Sequence, residues 1–355
     1  MEAFTAATCR LLSPSAEREC AIKTLVLDFF PVSDGLSTLG RAVEDLVTHG
    51  ETERLEFHIC SPYENNTAPQ RGKLRQRFMS FSAACPVAFR WLTKLTLDNL
   101  GKVCCKSWPC KNPPVRFGYV PKLHDITLRA IAKAWQAPFA LSECLPRSAR
   151  NLSNRCLGFG TRMIWVQPEH PKHLTATFRN LTSVALINIF PECDLSWTLF
   201  ILEVAPALQN FDLCENSSVL LSLWFHWTGH PIPLVFLFLH LTNPLSRDRP
   251  SCFNIPKESA EKTTMVWEPS KDLKHLNLKL LQIFGFEEED KVTNYIRLVM
   301  ERAVGLKRIK LRGELPCKKC DAIDPRRSQV DEARRIRIKE RLTRGSSSSV
   351  EIIMC

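Results

Sequence analysis

The sequence carries no GxxxxGK[ST] loop, no GxGxxG after a strand and no GxSxG elbow. The common phosphate cradles and the strained nucleophile turn are therefore excluded. The opening MEAFTAATCR has no apolar stretch of the kind that begins a secretory leader. That absence changes the meaning of 15 cysteines. Their number is odd and their spacing irregular, which fits reduced, mostly buried thiols in the cytosol or nucleus rather than a disulfide scaffold. In that setting the sequons at Asn65, Asn151, Asn180 and Asn216 carry no meaning as glycan sites.

Charge is missing from one stretch and concentrated in another. No Asp, Glu, Lys or Arg occurs between Asn216 and Ser246, a window of 31 residues. Its centre, 219–241, is long enough to cross a bilayer, but Gly229, Pro231, Pro233, His226, His230 and Asn243 argue against it. A membrane helix, a buried insertion and an intron-derived segment all stay open. Between Arg302 and Arg344, 15 Lys/Arg stand against 6 Asp/Glu, so much of the formal charge of +11 lies at one end. Without interleaved aromatics this reads as a solvated, partly helical basic tail, and no nucleic-acid partner is expected.

What is present is a repeat. An aliphatic residue, two others, an aliphatic, one other and an aliphatic recur at Ile22/Leu25/Leu27, Leu92/Leu95/Leu97, Leu123/Ile126/Leu128, Leu181/Val184/Leu186, Leu208/Phe211/Leu213, Leu278/Leu281/Ile283 and Leu306/Ile309/Leu311. A looser copy lies at Thr52/Leu55/Phe57. The intervals are 30, 40, 31, 58, 27, 70 and 28 residues, close to one or two leucine-rich-repeat units. The last two aliphatics, two apart, point to one face of a short strand, and the first turns in from the preceding loop. Only a neighbouring unit can close such a layer.

Helical patterns precede several triplets, at 71–84, 195–204 and 290–304. In the last, Val292, Tyr295, Ile296, Val299 and Met300 form one stripe behind the acidic run Glu287 to Asp290. The expected fold is α/β: a horseshoe-like leucine-rich-repeat solenoid of parallel strands with helices on its outer face, interrupted by an apolar insertion. The divisions are a leader at 1–21, degenerate repeats at 22–215, the insertion and linker at 216–266, last repeats at 267–320 and a basic tail at 321–355. Residues 102–114 and 146–161 read as loops or degraded repeats, with a unit owed near residue 152.

No catalytic, cofactor-binding or metal-ligating residue is assigned. Cys317-Lys318-Lys319-Cys320 has the gap of a zinc knuckle but no second pair follows. His226 and His230 lack an intervening Glu, and His170 and His173 flank Pro171 in a surface turn. The acids at 287–290 read as a helix-start and solubility feature. Trp91, Trp165, Trp197 and Trp267 fall beside repeat cores, where packing is the default. The partner face is expected on strand residues between the buried aliphatics: Lys94, Thr96, Asp125, Thr127, Ser183, Ala185, Asn210, Asp212, Leu280, Gln282, Arg308 and Lys310.

Five blocks resemble the leucine-rich-repeat region of plant F-box/FBD/LRR proteins, a group abundant in grasses: IKTLVLDFF at 22–30, RFMSFSAACPVAF at 77–89, FGYVPKL at 117–123, ECDLSWTLFILEVAPAL at 192–208 and LKLLQIFGFEEEDK at 278–291. The segment from Tyr295 to Glu351, with LPCKKC at 315–320, is similar to the closing part of the same family. The resemblance implies a non-enzymatic substrate-recognition arm of a cullin-type ubiquitin ligase, with an unidentified protein partner on the repeat face. The 21 residues before the first triplet are too few for an F-box, so a Skp-type adaptor is not expected to dock. The alternatives are a membrane-anchored repeat protein or a non-functional truncated paralogue.

Overall fold

The computed structural model describes residues 2–12, 22–29, 35–49, 52–60, 68–98, 116–129, 138–145, 147–159, 164, 166–189, 193–214, 267–286, 288–313, 332–344 and 349–354. In chain order the strands are β1 (Thr24–Phe29), β2 (Arg54–Cys60), β3 (Leu92–Asp98), β4 (Asp125–Arg129), β5 (Phe139–Ala140), β6 (Asn154–Gly158), β7 (Val166–Gln167), β8 (Ser183–Ile187), β9 (Asn210–Cys214), β10 (Leu280–Phe284), β11 (Arg308–Arg312) and β12 (Glu351–Met354). The short pair β5 and β7 forms its own sheet, and the other ten strands form one sheet in the order of the chain. Every pairing in it is parallel.

Parallel pairing, with one register shift at Leu55/Glu56 between β2 and β3, stacks like positions. One ladder runs Leu27, Phe57, Leu95, Ile126, Arg155, Val184, Phe211, Leu281, Ile309, Ile352, and the next runs Phe29, Ile59, Leu97, Leu128, Leu157, Leu186, Leu213, Ile283, Leu311, Met354. The first aliphatic of the pattern closes each layer: Leu92, Leu123, Leu152, Leu181, Leu208 and Leu278 are all fully buried. At about 1.5–3 kcal/mol for each large apolar side chain removed from water, these ladders dominate stability.

Helices cover this core face. Leu36–His49 contributes Val43, Leu46 and Val47, and Asp290–Arg302 contributes Val292, Tyr295, Ile296, Val299 and Met300, all in the same apolar cluster as the strands. The Glu44 carboxylate accepts from the amides of Val87 (2.7 Å) and Ala88 (3.2 Å), tying the first of these helices to the start of Pro86–Trp91. Tyr295 meets Thr198 through their hydroxyls at 2.7 Å inside the core.

A second set of bonds fixes each strand's entry. The amides of Ser153 and Asn154 both donate to the His124 carbonyl, those of Thr182 and Ser183 to Ser153, those of Gln209 and Asn210 to Thr182, and those of Lys279 and Leu280 to Gln209. Asparagine amides stitch the turns just before: Asn151 donates to Pro121, Asn180 to Arg150 and Asn277 to Pro206. Two of the sequon asparagines are therefore engaged in holding neighbouring units together.

The structure departs from the sequence reading, or completes it, in five places. The segment 146–161, read as a loop or a degraded repeat with a unit owed near residue 152, contains β6, whose pattern is broken because Arg155 stands where an aliphatic is expected. The expected interruption does not break the sheet: β9 and β10 pair directly, although their partners lie 70 residues apart instead of 29. The leader contains helix Glu2–Leu12, with Leu12 in the core. The tail, expected to be partly helical, contains helix Glu332–Thr343, and beyond that expectation it adds β12 to the sheet. The HPKH turn starts helix Pro171–Phe178, capped by His170. Residues 102–114 and 216–266, with the exposed question of a span at 219–241, lie outside the described residues. No described helix is long and apolar enough to cross a membrane.

The chain after the uncharged window is pinned at His275. Its Nδ1 accepts from the Leu278 amide at 3.0 Å, and its Nε2 lies 3.0 Å from the Ala205 carbonyl, a pairing that only a neutral ring with its proton on Nε2 satisfies. Burial lowers its pKa from 6.5, outweighing the backbone hydrogen bond. His58 is also lowered, by burial and then by Lys94. For both, the unfolded chain takes up a proton that the fold resists. Stability is expected to be full above pH 6.5 and to fall as the pH drops below it. Urea titrations should show this fall, and a shallower one for His275→Gln.

Candidate interaction face of the sheet

Strand residues between the core positions line up on the far face. The first ladder there is Val26, Glu56, Lys94, Asp125, Asn154, Ser183, Asn210, Leu280, Arg308, Glu351, and the second is Asp28, His58, Thr96, Thr127, Cys156, Ala185, Asp212, Gln282, Lys310, Ile353. All the residues expected to read a partner fall on these two ladders. Their accessibility differs. Arg308 is exposed, and Lys94, Asp125, Thr127, Asn210, Leu280, Gln282 and Lys310 are half-buried. Thr96, Ser183, Ala185 and Asp212 are buried.

The far face divides by chemistry. Toward its first strands, the Glu56 carboxylate gathers Arg54, Lys94 at 3.6 Å and His58 at 3.8 Å. Its centre pairs polar groups across strands: the Asn154 amide donates to Asp125, and the Gln282 amide donates to Asp212 at 2.8 Å. Beside these, Ala185, Ile187, Cys214 and Phe284 form a small buried apolar cluster separate from the main core. Arg312 lies over the Phe284 ring, 5.1 Å from its centroid. Gly158 leaves room here, since a Cβ on it would stand 2.9 Å from the Arg129 side chain.

Sequence reasoning missed Arg155. It is the only charged side chain in either core ladder, is 1% exposed, and its three guanidinium nitrogens have no hydrogen-bond partner. It stacks on Phe178, with 4.8 Å from its central carbon to the ring centroid. Burial pushes its pKa down to about 10, against the opposing pull of Cys144 and Glu169. The signal was readable: Leu152, Arg155 and Leu157 occupy the three positions of the repeat where a unit was owed.

Other singled-out residues have structural roles. Glu288 receives Arg334, Arg337 and Arg341 from the C-terminal helix, so the acidic run holds that helix in place. Trp197 is fully buried between Phe159 and Phe200, and Trp267 donates from Nε1 to Glu203 at 3.2 Å. His173 lies exposed 3.9 Å from Glu169. The CKKC run, His226, His230 and Trp165 lie outside the described residues. No group of three or more His, Cys, Asp or Glu among the described residues is placed to hold a metal ion. No protein family's sequence model matches the chain, and a comparison with curated proteins finds no match.

An unpartnered guanidinium inside an apolar ladder opposes folding, because its desolvation is offset mainly by one aromatic face. Arg155→Met is expected to raise the unfolding free energy by about 1–4 kcal/mol. A urea titration at neutral pH checks this, with a higher midpoint at unchanged slope as the outcome.

Proposed function

We propose that the chain is a non-enzymatic protein-interaction module: a leucine-rich-repeat solenoid whose far face selects a partner protein, as its resemblance to the substrate-recognition region of plant F-box/FBD/LRR proteins implies. The observation that carries this reading is the ten-strand parallel sheet in chain order, with aliphatic ladders on one face and two in-register ladders of mixed chemistry on the other. A surface of that kind suits recognition of another macromolecule, since its side chains are spaced at about 4.8 Å across strands and alternate in charge at one end. Cys85, Cys144 and Cys156 are free thiols, which goes with the cytosol or nucleus. Docking of a Skp-type adaptor is not part of the proposal.

Affinity capture from cells, followed by mass spectrometry, tests the reading. Thr127→Arg with Asn210→Arg places two long cations at half-buried points of the far face. The pair is expected to remove a specific set of captured proteins while leaving the melting temperature within a few degrees. An unchanged set of captured proteins would count against the face as the recognition surface.

A further inference from the structure

A second surface runs along the rim where each return segment turns into its strand. Contacts between successive units fix the positions of its side chains. The Lys122 ammonium sits over the Trp91 ring at 3.1 Å, and the Arg90 guanidinium is 5.9 Å from the Tyr119 ring centroid. Asn151 donates to the Pro121 carbonyl and Asn180 to the Arg150 carbonyl, which sets Arg150 beside the unit of Lys122 and Arg179 beside that of Arg150. The Val120 amide donates to Ser148, bringing Arg147 to the same rim.

Arg90, Lys122, Arg147, Arg150 and Arg179 are all exposed, and none has an ion-pair partner among the described residues. At the first strand the rim is neutralised instead, where Lys23 faces Glu53 at 3.7 Å. These five cations lie on the units of β3, β4, β6 and β8. Tyr119, 60% exposed, adds an apolar edge to them.

From this arrangement we infer that the rim over β3 to β8 binds an acidic, extended peptide segment of a partner protein. Three strand spacings make the cationic stretch about 14 Å long, which roughly five extended residues span at about 3.3 Å each. Guanidinium groups pair with carboxylates through two parallel hydrogen bonds, so arginine at most of these positions favours carboxylates. Single-stranded nucleic acid is disfavoured because aromatic rings occur at one end only, and the Trp91 ring already carries Lys122. The inference deepens the interaction-module reading and rests on it.

The test uses the full chain and fluorescence anisotropy with a fluorescein-labelled hexaglutamate, hexaglutamine being the neutral control. Binding is expected to hexaglutamate alone, to weaken with salt, and to fall about tenfold in the double variant Arg150→Glu, Arg179→Glu. The double variant Lys172→Glu, Lys339→Glu makes the same charge change elsewhere and is expected to bind like the parent. Melting temperatures establish that each variant is folded. Equal weakening by both double variants, no binding, or tighter binding of a single-stranded RNA of equal charge that depends on Arg150 and Arg179 would overturn the inference. The capture experiment keeps the two readings apart: loss of partners with the Thr127 and Asn210 substitutions but not with those at Arg150 and Arg179 removes the rim proposal and leaves the module reading standing.

Discussion

The fold depends on one repeated constraint: from β3 onward each strand must enter the sheet in the same register as the last, the one shift lying between β2 and β3. Two adjacent amides donate to one carbonyl of the preceding unit, as Thr182 and Ser183 do to Ser153. A buried amide without a partner would cost the full desolvation of that group, so the register is strongly specified. Slipping by one residue would also send Leu128, Leu157 and Leu186 to the far face and bring Thr127, Cys156 and Ala185 into the core. The aliphatic ladders and the backbone bonds thus enforce the same alignment.

The same constraint explains how the sheet accommodates its longest connection. Between β9 and β10 the chain travels 70 residues rather than 29, yet Gln209 accepts from Lys279 and Leu280 as Thr182 does from Gln209 and Asn210. The described return is anchored on the preceding unit: Trp267 and Ser270 bond to Glu203, and His275 and Asn277 to the carbonyls of Ala205 and Pro206. Loop-closure entropy grows only logarithmically with length, so doubling a connection costs about 0.6 kcal/mol, small beside the contacts it rejoins.

Most of the architecture was legible because buried aliphatics at fixed offsets report strand position directly. The seven triplets and the looser copy at Thr52 all lie on or beside strands of the large sheet. Two strands of that sheet lack the full triplet for different reasons. In β6 a buried arginine replaces the middle aliphatic, and in β12 the strand follows a basic segment whose composition suggests solvation. The far-face positions followed from alternation, whereas the burial of Asp212 and Ala185 did not, since side-chain accessibility depends on neighbours across strands. The rim cations escaped notice because they are brought together by stacking of units, with Arg150 and Arg179 each preceding an asparagine that bonds backward or receives its neighbour.

The central claim is that the ten strands form one continuous parallel sheet, in register from β3 to β12 and so across the step from β9 to β10, with a single shift between β2 and β3. Residue-resolved amide hydrogen exchange of the folded chain tests it most directly. Protection of the Lys279 and Leu280 amides comparable to that of Thr182 and Ser183 is the predicted result. Rapid exchange at Lys279 and Leu280, with Thr182 and Ser183 still protected, would contradict a continuous sheet and leave two separate arrays.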